Sequence, residues 1–382
     1  MPKSHLLIVI FIISASMLPA DNMLRVGCSL SLSSGNIGPS EMLRNGYRLW
    51  ADKINEEGGL LGRQVELLIY DDEGDPDNVR FYYEKLINED GAELLLAPYG
   101  TPLTLTASEV SEAAGMVMIT SGAAGNALFE RGYRYIFGMY APAERFSIGF
   151  LDICAREGFE RVAVVYETSP FHDDVADGAR KWGERFGMEI APAIPVVPGE
   201  TDLNQLVQRL MRDAPDALFV SMYPETGLEI LSEIKTLSYE PSAICMTILP
   251  TLPDFLHKAG PAWGNMYAPS QWEPRGRIPY PGTVEFINDY EEAYNTQPSY
   301  YSGSAYASCR IISDGFKHIG SLNHDMLRMY ISLLDTVTIV GRFKTDSSGK
   351  QIGHNPLLIQ WQNGKKEIVY PRSMMTADPV FE

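Results

Sequence analysis

The chain has 382 residues, of which 45% are hydrophobic and 21% are charged, a composition typical of a globular protein with a large core. The formal net charge of -18 argues against nucleic-acid binding, because phosphate contacts need clustered Lys and Arg and the sequence has no basic stripe. The length exceeds that of a usual single domain, yet no Pro-, Gly- or Ser-rich linker divides the chain, which predicts two closely connected lobes.

The N-terminus has the pattern of a secretory signal peptide. Residues Met1–Ala20 begin with a basic Lys3, continue through the apolar run Leu6–Ile13 and end in small and polar residues. That run is too short for a membrane span, and no later stretch reaches the roughly 18 to 20 apolar residues that a span needs. We therefore expect a periplasmic protein from which residues 1–20 are removed. Leu18 stands where small residues are preferred before a cleavage site, so an uncleaved anchor is the alternative interpretation.

After the signal peptide, short β-rich runs alternate with amphipathic stretches, which predicts a parallel sheet with helices on its faces. The first strand, Leu24–Leu32, leads into a Ser/Gly loop that contains Ser34, and a second strand is predicted at Val65–Tyr70. Asp75 followed by Pro76 predicts the capped start of a helix. The helix between these two strands carries an apolar stripe of Leu43, Tyr47, Trp50 and Ile54.

Two further buried strands, Leu94–Leu96 and Met116–Ile119, are each followed by small or hydroxyl residues. Ligands of open α/β sheets bind outside the carboxyl ends of the strands. Backbone amides in such loops, next to helix N-termini, can hold a carboxylate through hydrogen bonds and the helix dipole. Either loop alone is also explained as a tight turn, but together they predict an anion cradle. The two loops contain Tyr99, Gly100 and Thr101, and Thr120, Ser121, Gly122 and Ala123.

A second series of strands and helices begins near Ala141 and predicts a second doubly wound lobe. Its strands are predicted at Val162–Tyr166, Ile190–Ile194, Ala217–Met222 and Ala243–Met246. Helices at Val284–Tyr294 and Tyr301–Ile319 follow, and then a hairpin of Leu357–Trp361 and Lys366–Tyr370 around Asn363-Gly364. We assign residues 24–140 and 270–342 to lobe 1, residues 141–269 and 343–372 to lobe 2, and residues 373–382 to a C-terminal tail.

Motifs of common enzyme and cofactor sites are missing from the sequence. The first strand is not followed by Gly-x-Gly-x-x-Gly, and phosphate-loop, hydrolase-elbow and zinc-protease motifs do not occur. The four cysteines, Cys28, Cys154, Cys245 and Cys309, are widely spaced and leave disulfide pairing open. The acidic group Asp71-Asp72-Glu73 fits a solvated strand end better than a cation site. We therefore expect a non-enzyme with no cofactor and no metal.

The run Gly58-Gly59-Leu60-Leu61-Gly62-Arg63, followed by Asp71-Asp72 and Asp75-Pro76, resembles the periplasmic amino-acid-binding proteins of the leucine/isoleucine/valine type. The resemblance continues along nearly the whole mature chain, through residues 114–119, 130–133, 177–178, 223–227 and 298–307. It implies a type I periplasmic binding protein fold, in which two doubly wound α/β lobes joined by three crossings close over a solute. The implied partners are a small-molecule ligand and the permease of an ABC importer, and we expect a monomer.

The same resemblance implies roles for single residues. Thr101 takes the place of a hydroxyl residue that binds the ligand carboxylate, and Glu225 matches an acid that meets the ligand ammonium. Phe171 matches a position where the family commonly has tyrosine, whereas Ala124 replaces a family hydroxyl. The predicted ligand-binding residues are Ser34, Tyr99, Gly100, Thr101, Thr120, Ser121, Gly122, Ala123, Tyr140, Phe171, Tyr223, Glu225, Trp272 and Tyr301.

The sequence leaves the solute open. Glu225 favours an amino acid, whereas Ala124 and the aromatic positions favour an apolar or aromatic carboxylate, because rings offer large apolar area and stacking geometry. The alternative function is a ligand-sensing module of the same fold, which signals to a receptor or regulator instead of a permease.

Overall fold

The computed structural model describes residues 23–34, 37–274 and 280–381, so the predicted signal peptide lies outside the described residues. Within these ranges, none of the helices combines the length and the apolar character that crossing a membrane requires. The described chain forms two lobes of mixed α/β structure, each built around its own parallel strands. The structure therefore has the predicted α/β class.

The first lobe contains a parallel sheet in the order β2-β1-β3 and a parallel pair of β4 and β5. Its N-terminal elements are β1 (Met23–Leu30), α1 (Ile37–Glu56), β2 (Gln64–Asp71), α2 (Pro76–Asn88), β3 (Leu94–Leu95), α3 (Thr101–Ala113), β4 (Met118–Thr120) and β5 (Ile136–Gly138). The predicted apolar stripe of α1 packs inside this lobe, since Leu43, Tyr47, Trp50 and Ile54 are fully buried. Asp75 caps α2 as predicted, because its carboxylate accepts a hydrogen bond from the Asp77 amide and Pro76 opens the helix.

The second lobe is organised by one sheet of seven strands in the order β14-β13-β10-β9-β8-β6-β7. The chain enters it with α4 (Ile148–Glu157), β6 (Arg161–Glu167), α5 (Pro170–Phe186), β7 (Glu189–Val196), α6 (Leu203–Asp213), β8 (Ala217–Ser221), α7 (Pro224–Thr236), β9 (Ile244–Met246), α8 (Phe255–Ala259) and β10 (Tyr267–Ser270). The strands from β10 to β7 are parallel, and β13 and β14 join antiparallel at the edge.

After β10 the chain returns to the first lobe, where α9 and α10 pack on α1, and then it enters the second lobe again. These last elements are α9 (Thr283–Tyr294), α10 (Tyr300–Ile319), α11 (His324–Leu333), β11 (Asp335–Thr338), β12 (Gly341–Lys344), β13 (Leu357–Gln362) and β14 (Lys365–Tyr370). The predicted hairpin is the β13-β14 pair. Its turn has positive φ at both Asn363 (51°) and Gly364 (75°), the backbone that Asn-Gly favours in tight hairpins.

Two predicted boundaries differ from the structure. The segment after β12 was assigned to the second lobe, but it contacts the first: the Gly138 amide donates to Gly349 O over 2.8 Å, and Gln351 Nε2 donates to Met139 O over 3.3 Å. The chain therefore crosses for the third time only shortly before β13. The C-terminal tail is also part of the second lobe, because Tyr267 Oη donates to Val380 O over 2.7 Å. These contacts join residues far apart in sequence, which local patterns do not reveal.

The contact between α1 and α10 depends on a small residue at Gly46. A Cβ atom there would clash with the carbonyl oxygen of Ser302 and lie 2.8 Å from the Cβ of Ala305. We predict that Gly46→Ala destabilises the protein by about 1 to 3 kcal/mol through overpacking, which outweighs the gain in helix propensity. The midpoint of urea unfolding measures this change.

Gly38→Ala is the matched control on the same helix. A Cβ at Gly38 meets no atom closer than Leu252 Cδ1 at 4.0 Å, so this variant should be as stable as the parent or slightly more stable. If the two variants unfolded at the same urea concentration, close approach of α1 and α10 would not be the reason for Gly46.

Candidate functional site

A closed cleft lies between the lobes, at the carboxyl ends of the parallel strands. It is lined by Tyr99, Gly100, Thr101, Gly122, Ala123, Ala124, Tyr140, Phe146, Phe171, Tyr223, Ile248, Tyr300 and Tyr301. The lobes approach so closely that the space left for water-sized molecules is about 20 Å³. That is little more than one water needs, whereas binding sites for small molecules measure roughly 300 to 1,000 Å³. A solute therefore enters this cleft only when the lobes separate.

Two loops of the first lobe form one end of the cleft. The Gly100 amide donates to Gly122 O over 3.1 Å and so joins the loop after β3 to the loop after β4. Gly100 has φ of 85°, a left-handed conformation that glycine adopts without strain. The amides of Thr101, Ala123 and Ala124 find no acceptor among the described residues. Unpaired amides at the start of a helix are suited to bind an anion, so these loops can hold a carboxylate.

The side chain of Thr101 adds a further donor to these loops. Its hydroxyl is buried and accepts a hydrogen bond from the Gly125 amide over 3.1 Å. Gly125 comes so close that a Cβ there would lie 2.5 Å from Thr101 Cγ2, which fixes the rotamer of the threonine. Since the oxygen already accepts, the hydroxyl proton is available to a ligand in the cleft.

Aromatic rings make up most of the remaining lining. They meet edge to face in three pairs: Tyr99 with Tyr301 at 5.8 Å, Tyr140 with Tyr300 at 5.5 Å, and Phe146 with Phe171 at 5.2 Å between ring centroids. Such pairs stabilise a structure by more than the burial of their apolar area alone would give. The rings come from both lobes and from the crossings, so closing the lobes completes an apolar wall around the solute.

The lining residues named above include no Asp, Glu, Lys, Arg or His side chain. Burial raises the pKa of all five tyrosine hydroxyls, those of Tyr99, Tyr140, Tyr223, Tyr300 and Tyr301, which therefore stay neutral at physiological pH. The cleft thus offers neutral hydrogen-bond donors and apolar surface, but no negative charge for an ammonium group.

The structure corrects the predicted position of Glu225. This residue is exposed in the first turn of α7 and does not line the cleft. The cleft is reached instead by Tyr223, which lies between β8 and α7, and the helix then turns Glu225 towards solvent. Near a helix N-terminus its carboxylate interacts favourably with the helix dipole.

Glu167, at the end of β6, is the acid that is buried next to the cleft. It is 8% exposed, and its Oε2 accepts a hydrogen bond from the Tyr223 amide over 3.2 Å. Burial raises the pKa of the Glu167 carboxyl. It does not line the cavity, so its role is to position the loop that carries Tyr223.

Four other predicted residues also lie outside the lining. Thr120 donates to Ala123 O over 3.1 Å, and Ser121 is hydrogen bonded to Ser308 over 2.7 Å, so both side chains shape the cradle from behind. Trp272 packs on the ring of Phe286 near a crossing. Ser34 lies in the segment after β1, beside Gly74. These side chains support the site or the hinge instead of facing the cavity.

Apart from Ala124, which the resemblance places at a family hydroxyl position, three lining residues were not predicted: Phe146, Ile248 and Tyr300. Ile248 comes shortly after the carboxyl end of β9, and the rule that found Tyr99 and Tyr223 at strand ends applies to it as well. Its φ of 61° turns the chain into the cleft. This conformation is uncommon for a β-branched residue, and no pattern in the sequence predicts it. Tyr300 is the first residue of α10 and directly precedes Tyr301, which was the only one of the two that was predicted.

A larger hollow, with about 470 Å³ open to water, lies on the first lobe between α1, α9 and α10. Most of its charged side chains form ion pairs, such as Lys53 with Asp289 at 3.0 Å and Arg310 with Glu57 at 3.2 Å. It contains none of the unpaired amides described above. The cleft is therefore the better candidate for the functional site.

A model of the family described as periplasmic binding protein matches residues 24–366. The chain belongs to this family. The family consists of solute-binding proteins, not enzymes, and the predicted resemblance to leucine/isoleucine/valine-type binding proteins is confirmed.

Relatives and solved structures agree with the assignment to the periplasmic binding proteins. Leu/Ile/Val-binding protein homolog 7 of Brucella abortus (strain 2308) is 23% identical over 395 residues, covering 97% of each chain. A leucine binding protein from Thermotoga maritima superposes with a TM-score of 0.82 at 15% identity, covering 90% of this chain and 97% of the other. A solute binding protein of an ABC transporter from Rhodopseudomonas palustris BisB5, in complex with 3,4-dihydroxy benzoic acid, has a TM-score of 0.79 at 20% identity, covering 90% and 95%. The predicted type I fold is thus confirmed.

Direct hydrogen bonds hold the two lobes of this periplasmic binding protein together at the cleft. Asp174 on α5 of the second lobe accepts from the amide of Asn126 over 2.6 Å and from its Nδ2 over 3.2 Å. Lys350 Nζ donates to Asn126 Oδ1 over 3.0 Å and fixes the asparagine from the first-lobe side. The carboxylate of Asp174 therefore acts as a latch between the lobes.

We predict that Asp174→Ala shifts the equilibrium between closed and open lobes towards the open form about tenfold, because two hydrogen bonds to a half-buried carboxylate are lost. Small-angle X-ray scattering measures the shift as a larger radius of gyration. Asp173→Ala is the control, because the carboxylate of this neighbouring acid forms no hydrogen bond with the described residues. Equal radii for both variants would show that the latch does not govern closure.

Proposed function

We propose that the chain is the periplasmic solute-binding component of an ABC importer, and that its solute is an aromatic or apolar carboxylate without an amino group. The observation that carries the proposal is the chemistry of the cleft. Unpaired amides of Thr101, Ala123 and Ala124 lie next to a wall of aromatic rings, and the lining has no carboxylate. This lining complements a solute that has an anionic group at one end and a flat apolar body.

The lack of a counter-charge argues against an α-amino acid as the solute. A buried ammonium needs an anionic partner or several acceptors, since taking an unpaired charge out of water is costly. Glu225 is exposed to solvent. The carboxylate of Glu167 already interacts with the Tyr223 amide and the Thr226 hydroxyl, which belong to the loop and helix start beside the cleft. An amino group would therefore lose its hydration in the closed cleft without adequate compensation.

The solved structures are compatible with this choice within a single fold. The Thermotoga protein is named for leucine, whereas the Rhodopseudomonas protein was solved with a dihydroxybenzoic acid. The type I fold thus carries both classes of ligand, and the side chains of the cleft decide between them. Here the neutral aromatic lining supports the second class.

A ligand-sensing module of the same fold is the alternative function, and the cleft would be the same in both. The two differ in the partner that recognises the closed lobes. A permease and an ATPase encoded beside this gene, and uptake of the solute by vesicles that contain both together with this chain, would support the importer. Normal uptake by cells that lack this chain, together with loss of a transcriptional response, would support the sensor.

The ligand class is tested by calorimetric titration of the purified protein. We predict that benzoate binds, whereas leucine and phenylalanine bind at least about tenfold more weakly because their ammonium group has no partner in the cleft. Benzamide should also bind more weakly than benzoate, since the amides of the cradle favour a negative charge. At 100 times its Kd, benzoate should raise the free energy of unfolding by about 2.7 kcal/mol.

Glu225→Gln provides the matched control for the amino-group question. Because Glu225 lies outside the lining, the variant should bind every ligand of this series with the affinity of the parent protein. Tighter binding of leucine than of benzoate, lost in Glu225→Gln, would overturn the proposal and restore the role that the sequence predicted for this acid.

A further inference from the structure

The Tyr140 hydroxyl is buried in the cleft without a hydrogen bond. Tyr140 is 5% exposed, and its Oη is buried without a partner among the described residues. The Ser304 hydroxyl is near enough to offset part of the rise that burial causes in the pKa of Tyr140, but it does not reach the geometry of a hydrogen bond. Buried hydroxyls are paired in most native structures, so an unpaired one that lines a binding cleft indicates a missing ligand group.

The neighbouring hydroxyls are already committed to one another. Tyr300 Oη donates to Tyr301 Oη over 2.6 Å, and Thr251 Oγ1 donates to Ile248 O over 2.5 Å. Since Thr251 has given its proton to that carbonyl, the 3.4 Å contact between Tyr301 and Thr251 requires Tyr301 to be the donor. The chain of hydroxyls therefore runs in one direction, from Tyr300 to Ile248, and it leaves Tyr140 out.

Because Tyr300 donates in this chain of hydroxyls, its oxygen remains free to accept a hydrogen bond next to Tyr140. Tyr300 donates its only hydroxyl proton, and no described group donates to its oxygen. The rings of Tyr140 and Tyr300 meet edge to face at 5.5 Å. A ligand hydroxyl could therefore donate a hydrogen bond to Tyr300, and it could either donate to or accept from Tyr140.

From this arrangement we infer that Tyr140 is a specificity-determining residue that recognises a hydroxyl group on the ring of the solute. The substrate class is then a hydroxylated aromatic carboxylate, whose carboxylate meets the amides of Thr101, Ala123 and Ala124 and whose hydroxyl meets Tyr140 and Tyr300. The inference rests on the proposed function and narrows it. An unsubstituted ring would bury the Tyr140 hydroxyl unpaired, and sites built to hydrogen bond a hydroxyl reject analogues that lack it.

The test is a comparison of dissociation constants for benzoate, 3-hydroxybenzoate, 4-hydroxybenzoate and 3,4-dihydroxybenzoate by titration calorimetry. The parent protein should bind at least one hydroxylated acid about tenfold or more tightly than benzoate. In Tyr140→Phe this ratio should fall towards one, since the ring remains and only the hydroxyl is lost. The ratio is informative even if the variant changes the affinity for all four acids.

Tyr239→Phe is the matched control. The Tyr239 hydroxyl is also buried without a partner, but the residue follows α7 and lies outside the cleft lining. This variant should keep the ratio of the parent protein, which separates the loss of a recognition group from the general effect of removing an unpaired hydroxyl.

The outcomes separate this inference from the function on which it rests. If none of the four acids binds, the proposed ligand class itself fails. If benzoate binds as tightly as every hydroxylated acid, or if Tyr140→Phe keeps the preference of the parent, only the role of Tyr140 is refuted. A ratio that falls in Tyr140→Phe and is kept in Tyr239→Phe supports the inference.

Discussion

The hydrogen bond from the Gly100 amide to Gly122 O is the contact on which the cleft depends. It fixes two loops from different strands side by side, and the amides that follow in each loop are left without acceptors at one place. Glycine is needed at both ends of this bond. Gly100 has a left-handed φ, and a Cβ on Gly122 would lie 2.9 Å from Leu43 Cδ1, an atom of the buried α1 stripe. The packing of the first lobe therefore positions the backbone amides that donate to a ligand in the cleft.

The two lobes contribute different chemistry to the cleft. The first lobe supplies the backbone donors and four of the five tyrosines, whereas the second supplies the mostly apolar side chains of Phe171, Tyr223 and Ile248. Neither half encloses a solute alone. Because backbone amides and neutral hydroxyls do not titrate near neutral pH, recognition by this cleft should depend on the charge of the solute and little on that of the protein.

Much of this architecture could be predicted from the sequence, because strands, helix stripes and the Asn363-Gly364 turn leave local signals of period and turn chemistry. The rule that ligands bind beyond strand ends also led to Tyr99, Thr101 and Tyr223. It could not separate Glu225 from Tyr223, since two residues at the start of a helix turn the side chain from cleft to solvent. Nor could it reveal Ile248, whose position depends on a backbone conformation that tertiary contacts impose.

The bonds between the lobes have a consequence for any transporter that recognises the closed shape. Asp174 with Asn126, and Tyr301 with Thr251, join the lobes through groups of the protein itself, so the solute does not supply the whole free energy of closure. Such a protein adopts its closed shape for part of the time without cargo. An empty carrier would then compete with a loaded one for the same membrane complex and provoke idle ATP turnover. In the proposed importer, the strength of these contacts would set the balance between ready closure around the solute and ATP hydrolysis without transport.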